Sequence, residues 1–163
     1  MPERLADVTV RRDDPATAPR RIPRRYADPA CWLLAEAVDQ ALDSVAGLRE
    51  RVLHDRETVG VVTVSPVGTR HTLRIVAEET GRAAVSPTRF AAASPGTLTG
   101  IVCAWLGLSG PGAMVTAAPP AGLPLAEVVA ADWLDGPARH VLLLTYTVAG
   151  THEAGCRVLG RAA

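Results

Sequence analysis

Residues 121–134 limit what this chain can fold into more than any other stretch. They read AGLPLAEVVAADWL, in which only Glu127 and Asp132 are charged. A helix that is apolar on every side is normally buried on every side, whereas one layer of sheet covers only one side. We therefore expect this helix to be largely buried, with part of that burial supplied by another chain. The residues expected in that contact are Val128, Val129, Trp133 and Leu134.

The remaining sequence alternates between strand-like and helix-like patterns. Strands are predicted around Val8 and Val10 and at Val59–Val64, 113–117, 140–148 and 156–159. Helices are predicted from the Asp28 cap to Gly47, at 69–80, from Ser94 onward and at 121–134. The order β-α-β-α-α-β-α-β-β is typical of an α/β layered fold with a mostly parallel sheet. The turn at 149–154 is too short for a crossover, so the last strand is predicted to be antiparallel to its neighbour.

The composition is that of a globular domain, and it excludes several classes of function. The chain has 163 residues, 48% of them hydrophobic, and its 17 basic and 17 acidic residues cancel. This balance predicts neither a nucleic-acid partner nor a membrane partner. No apolar run is long enough for a membrane span or a signal peptide, which favours the cytoplasm. All basic residues are arginine, so no lysine is available for Schiff-base chemistry.

The N-terminal segment differs in composition from the rest of the chain. We assign 1–28 as a strand followed by an Arg/Pro-rich extension, and 29–163 as the main domain. Two interpretations of the extension remain open: a solvated linker, or a site for the phosphate groups of a carrier protein or coenzyme. The arginines concerned are Arg20, Arg21, Arg24 and Arg25.

One motif-rich segment, residues 86–125, resembles a known family. It carries SPTRF, then GLSGPG at the end of a predicted helix, a strand, and AGL at the start of the apolar helix. The segment is similar to the stretch that carries the active-site cysteine in β-ketoacyl synthases, and a weaker resemblance extends over roughly 30–160. The matching residues are Ser86, Pro87, Phe90, Gly100, Leu106, Gly107, Leu108, Gly110, Pro111, Gly122 and Leu123.

The resemblance implies a fold and a site. The fold would be an α/β, half-thiolase-like layered domain with a mixed sheet of about five strands and helices. The family's nucleophile position, three places before Gly122, falls on Pro119, which has no nucleophilic atom. By position in the motif, the substrate-binding candidates are Thr116, Pro119, Pro120 and Gly122. The family's two catalytic histidines belong to a second half that this chain lacks, so condensation by this chain alone is not expected.

Other potentially reactive residues have simpler interpretations. None of the four histidines, His54, His71, His140 and His152, matches a family histidine motif. Cys103 is predicted to be a packed core thiol and Cys156 a structural residue on a strand. Glu127 and Asp132 would act as buried acid or base only if a second protomer enclosed them; otherwise they contact solvent at the rim. Neither a cofactor nor a metal site is predicted.

Two functional hypotheses follow from this sequence, and a third concerns the gene. The first is a non-condensing ketosynthase-like accessory subunit of polyketide or fatty-acid-type biosynthesis, acting through a partner or carrier protein. The second is a small standalone enzyme that acts on an acyl thioester or related intermediate in a homodimer cleft, with a helix N-terminus near Pro120 stabilising an oxyanion. The third is a degraded gene product. The expected partners are a second copy of the chain or a ketosynthase, together with an acyl carrier protein.

Overall fold

The chain forms one five-stranded sheet with helices on both faces. The computed structural model describes residues 2–19, 28–82 and 85–161. The strands are β1 (Glu3–Arg12), β2 (Val59–Val64), β3 (Gly112–Val115), β4 (His140–Ala149) and β5 (Thr151–Gly160). The helices are α1 (Pro29–Asp43), α2 (Leu48–His54), α3 (Arg70–Thr80), α4 (Pro87–Ala92), α5 (Thr97–Leu106) and α6 (Pro119–Asp135). The four arginines of the N-terminal extension lie outside the described residues.

The sheet is mixed, as predicted. Its strand order is β1-β5-β4-β2-β3. β2 runs parallel to β3 and to β4, while β5 is antiparallel to both β4 and β1. Four strands therefore share one direction and β5 alone opposes them. The antiparallel β4–β5 pairing is confirmed, but its turn is shorter than predicted, because the strands continue to either side of Gly150.

The strand β2 divides the molecule into two cores. All six of its residues are buried. Val59 and Val61 face the larger core, which contains α1 and α5, while Val62 and Val64 face the smaller core under α6. A strand with helices on both faces reads as a continuous β-branched run, because no position on it faces water. This explains why the bounds of β2 were predicted correctly from the sequence.

The helix α1, and not α6, is the one buried on nearly every side. Within Pro29–Asp43 only Trp32, Gln40 and Asp43 escape full burial. The helix contacts β1, β5, β4 and α5. Its cap Asp28 is itself buried and accepts from two helix termini, from the Ala30 amide at 2.9 Å and from the Thr72 amide at 2.9 Å. One carboxylate thus fixes the starts of α1 and α3 together.

The helix α6 is covered along one stripe only. Gly122, Ala126, Ala130 and Leu134, spaced by four residues, pack against β2 and β4. The expectation that Leu134 would contact another chain is wrong, since its side chain is 2% exposed within its own core. The opposite side of α6 has no covering element among the described residues.

Several element ends differ from the predicted ones for local reasons. α1 ends at Asp43, and Gly47, with φ of 71°, starts the separate short helix α2. α6 begins at Pro119 rather than at residue 121, because proline suits the first turn of a helix. The short α4 was not predicted; Ser86 caps it. Within the described residues, no helix combines the length and apolar character needed to cross a membrane.

Candidate functional site

The four candidate site residues lie together at the junction of β3 and α6. Thr116 follows the end of β3 and is exposed, Pro119 and Pro120 are the first two residues of α6, and Gly122 is buried in its first turn. α6 starts at the edge where the parallel strands end. Ligands of α/β sheets typically bind outside the carboxyl ends of the strands, so the position is one where a site would be expected.

The start of α6 lacks the donors that an acyl-transfer site needs. A helix normally presents free amide groups at its N-terminus, and such groups can stabilise an oxyanion. Here Pro119 and Pro120 have no N–H, and the amides of Ala121 and Gly122 both donate to the Ala118 carbonyl, at 3.0 and 2.8 Å. The first four positions of the helix therefore offer no amide to a substrate.

Two glycines of the motif are required by close packing. A Cβ on Gly122 would lie 2.5 Å from Val64 Cγ1, and one on Gly110 would lie 2.3 Å from the Val59 carbonyl oxygen. These distances are well inside ordinary carbon contact. The glycines let α6 and the loop before β3 approach β2, so this part of the motif is explained by the architecture without any chemistry.

The histidines are placed on other elements. His54 ends α2, His71 lies on α3, His140 begins β4 and His152 lies near the start of β5. Burial lowers the pKa of His140, and Arg51 and Arg139 act in the same direction against an opposing effect from Asp55. No histidine is on α6 or in the loop before it.

The cysteines and the acidic residues of α6 have no catalytic setting. Burial raises the pKa of Cys103 and of Cys156, and Cys156 is fully buried, as a structural thiol would be. Glu127 and Asp132 are exposed, so neither is a buried acid within one chain. Among the described residues, no group of three or more His, Cys, Asp or Glu could hold a metal ion.

Exposed aliphatic side chains lie on the outer side of α6, where no element among the described residues covers them. Leu125 is 55% exposed and Val128 is 66% exposed, both unusual for large aliphatic residues. Beside them runs a groove of about 500 Å³ between α6 and the sheet. Apolar side chains that line it include Pro124, Val128, Ala131, Leu143 and Leu159. We call Leu125, Val128 and this groove the α6 surface.

A salt-bridge network borders the α6 surface. Arg157 on β5 lies 3.0 Å from Glu127 Oε1 and 3.3 Å from Asp7 Oδ2, and Arg4 lies 3.2 Å from the same Asp7 oxygen. Exposed ion pairs add little stability. They do place alternating charges around an apolar centre, which is the arrangement typical of protein interfaces.

The sequence indicated α6 as an interface but missed the groove. Leu143, Arg157 and Leu159 belong to β4 and β5, far from α6 along the chain. Successive residues of a strand point to opposite faces of the sheet. The sequence pattern could therefore have indicated that Leu143, Arg157 and Leu159 lie on one face. It could not have shown that a groove remains between α6 and this part of the face.

Comparisons with known proteins agree with this architecture. Residues 9–143 match the family model described as beta-ketoacyl synthase, N-terminal domain. A chain in the complex of the ketosynthase ApeO with its chain length factor ApeC from Xenorhabdus doucetiae is similar in fold. The TM-score is 0.66 at 14% identity, over 99% of this chain and 79% of that one. A search of curated proteins found no match.

Two further solved structures resemble the chain over parts of larger molecules. The ishigamide ketosynthase/chain length factor matches at a TM-score of 0.56 and 16% identity, over 65% of this chain and 36% of that one. Ketosynthase twelve of the bacillaene polyketide synthase in Bacillus amyloliquefaciens matches at a TM-score of 0.62 and 14% identity, over 83% of this chain and 28% of that one. The present chain spans about a third of each of these two chains. With most of its length covered by the family model and its fold shared with ketosynthases, the chain belongs to the β-ketoacyl synthase N-terminal domain family.

Proposed function

We propose that this chain is a non-condensing, ketosynthase-like accessory subunit of polyketide or fatty-acid-type biosynthesis. The observation that carries the proposal is the start of α6. The frame around it is kept, with Gly122 packed against Val64, while Pro119 and Pro120 provide neither a nucleophile nor an amide donor. From a retained architecture without the chemistry of a condensing site, we infer that the chain acts through association with another protein.

The partner in this proposal is a ketosynthase, bound through the α6 surface. Exposed apolar residues bordered by charged ones mark interaction sites, and on the α6 surface the exposed Leu125 and Val128 lie beside the Arg157 salt-bridge network. The comparison with the ApeO–ApeC complex supports the choice of partner, because that structure pairs a ketosynthase with its chain length factor. A carrier protein would supply the acyl intermediate to the assembled complex. Pairing of two copies of this chain is the competing assembly.

Co-purification tests this proposal directly. The chain is co-expressed with the ketosynthase encoded nearest to it, and the complex is measured by size-exclusion chromatography with light scattering. We expect a stable hetero-complex with wild type and its loss with Leu125→Glu plus Val128→Glu, because two buried carboxylates would have no partners. The matched control is Leu73→Glu on α3, at a position that is 56% exposed, and it should retain the complex. Retention by the α6 double variant would contradict the assigned surface.

The absence of condensation has its own test. Pro119→Cys adds a thiol at the start of α6, but no histidine lies on that helix or in the loop before it. We expect this variant, alone, to elongate no acyl chain when incubated with carrier-bound acyl and malonyl substrates and analysed by mass spectrometry. Elongation by the single variant would show that the family's two catalytic histidines are not needed.

The alternative function, a standalone enzyme in a homodimer cleft, depends on donors at the start of α6. Because Pro119 and Pro120 have no N–H and the Ala121 and Gly122 amides already donate to Ala118, the first four residues of α6 supply no donor for an oxyanion. The same mass-spectrometric assay with the wild-type chain separates the two functions. Turnover without a ketosynthase would favour the enzyme and overturn the accessory role.

A further inference from the structure

Residues 90–126 form the longest stretch of the chain without a charged side chain. All 17 basic residues, all 17 acidic residues and the four histidines lie outside it. The stretch contains α5, β3 and the first turns of α6. These elements lie together at one edge of the sheet, where β3 is the last strand in the order. The β3 edge is therefore built from uncharged residues on the strand and on the helix segments beside it.

The outer side of β3 has free backbone groups. The Val61 amide donates to the Pro111 carbonyl at 2.8 Å, and the parallel ladder then uses every second residue of the β3 segment. Gly112 and Met114 lie between the residues that bond to β2, so their N–H and C=O groups point away from it. No strand pairs with this outer side among the described residues. Such a row of free groups is a template for a further strand.

The opposite edge of the sheet is protected against an added strand. β1 reads ERLADVTVRR, with five charged residues, and its register with β5 shifts between Arg4 and Ala6, as at a β-bulge. Charges and bulges are the means by which proteins prevent edge strands from pairing with other molecules. β3 reads GAMV and pairs with β2 in a regular register, so it has neither device. The β3 edge is the one left open for pairing.

We infer that β3 pairs with β3 of a second copy of this chain, antiparallel and about a two-fold axis. In a two-fold interface a residue near the axis faces its own equivalent, so a charge there would meet a charge of the same sign, which opposes association. Self-pairing therefore requires a charge-free edge, and β3 provides one. A partner of different sequence has no such requirement, because it can offer the opposite charge. The α6 surface, with Arg157 and Glu127 at its border, suits a partner of that second kind.

The helices beside β3 allow a second copy to approach. An axis perpendicular to the sheet places each α5 beside its equivalent on one face of the sheet. Gly100 and Ala104, one turn apart on α5, are small and exposed, and a Cβ on Gly100 would meet nothing within 4 Å. Arg56 approaches Gly107, but this contact lies at the amino edge of the sheet, where antiparallel pairing keeps Arg56 away from its own equivalent. Self-pairing through β3 leaves the α6 surface to a ketosynthase, so the two assemblies are compatible.

The mass of the purified chain alone, measured by light scattering at micromolar concentrations, tests the inference without a ketosynthase. We expect two copies for the wild type. Met114→Pro removes the outward N–H and keeps the ladder to β2, since proline is tolerated on an edge strand. It should weaken self-association by at least about tenfold, because each copy loses a donor. Met114→Ala is the matched control: it loses the same side chain, keeps the N–H and should remain at two copies.

Hydrogen exchange of the wild-type amides is a second readout, and it decides the matter if Met114→Pro does not fold. The amides of Gly112 and Met114 should be protected at high concentration and exchange faster on dilution, while the Ala113 amide, on the β2 side, should not change. Leu125→Glu plus Val128→Glu should leave the pair intact. A wild-type mass of one copy, or unprotected Gly112 and Met114 amides, would overturn the inference. So would a pair that the α6 double variant dissociates and a folded Met114→Pro retains.

Discussion

Replacement of Gly122 by alanine tests the claim that the motif glycine serves packing. The added Cβ would lie 2.5 Å from Val64 Cγ1 and 3.3 Å from both Ala117 Cβ and Val115 Cγ1. Val64 is fully buried in β2, a strand covered on both faces, so it cannot move aside. Either α6 shifts outward or Val64 adopts a strained rotamer. Both responses disturb the smaller core.

The magnitude follows from two opposing effects. Overpacking a well-filled core costs about 1–3 kcal/mol, and the immobile Val64 places this site at about 2–3 kcal/mol. Alanine gains about 1 kcal/mol over glycine in a helix interior. The expected net loss is therefore about 1–2 kcal/mol, or several degrees in Tm for a chain of this size.

Gly100 in α5 is the matched control. A Cβ there meets nothing within 4 Å, and the residue is exposed. Gly100→Ala should thus raise stability by about 0.5–1 kcal/mol, through helix propensity and a less flexible unfolded chain. The assay is equilibrium urea unfolding, with midpoints compared at equal m values.

A double-mutant cycle isolates the contact. In a Val64→Ala background the Cγ1 atom is gone, so adding Gly122→Ala should be neutral or stabilising. Equal effects of Gly122→Ala in both backgrounds, or stabilisation by Gly122→Ala in the wild-type chain, would refute the packing argument.

Three further predictions concern stability. Asp28→Ala removes the cap of two helices and should lower the free energy of unfolding, measured in urea, by about 2 kcal/mol. Asp28→Asn should lower it by less than Asp28→Ala does. Arg161→Ala should cost about 1 kcal/mol, because Nε donates to the Leu134 carbonyl at 2.7 Å and Nη2 to the Gly136 carbonyl at 3.0 Å, near the end of α6. The lowered pKa of His140 means that the unfolded chain binds its proton first, so stability present above pH 6.5 should fall as the pH drops below it. His140→Gln should show a flatter pH dependence in the same titration, and an unchanged slope would contradict the assignment.

The bounds of an element were predicted correctly where residues within or next to that element determine them. The bounds of β2 follow from a β-branched run, and the start of α1 follows from Asp28 and Pro29. The start of α6 was predicted two residues late, because two consecutive prolines read as a loop although both suit a first turn. The sequence alone does not decide whether such a pair of prolines belongs to a loop or to the first turn of a helix.

Burial depended on contacts between distant segments. β1 pairs with β5, so that Glu3 lies opposite Gly160, and this added edge strand gives α1 enough sheet to be buried on nearly every side. α6 packs mainly against β2 and β4. Both helices are apolar in sequence, so composition could not reveal which one the sheet would enclose.

The contact between Tyr146 and His152 depended on the register of β4 and β5. Tyr146 and His152 meet only because Gly150, with φ of 81°, turns the chain between β4 and β5 at that point. A shift of one residue would send the two side chains to opposite faces of the sheet. The start of α3 is fixed by Asp28, which accepts from the Thr72 amide, and no pattern within α3 reveals this contact.

The mass of the assembled protein tests the central claim most directly. The chain is mixed with its neighbouring ketosynthase at micromolar concentration, and the mass of each eluting species is measured by light scattering. The accessory-subunit account predicts a single hetero-complex that dissociates when Leu125 and Val128 are replaced by glutamate. Separate elution of the two proteins, with the wild-type chain running at the mass of one copy, would contradict it.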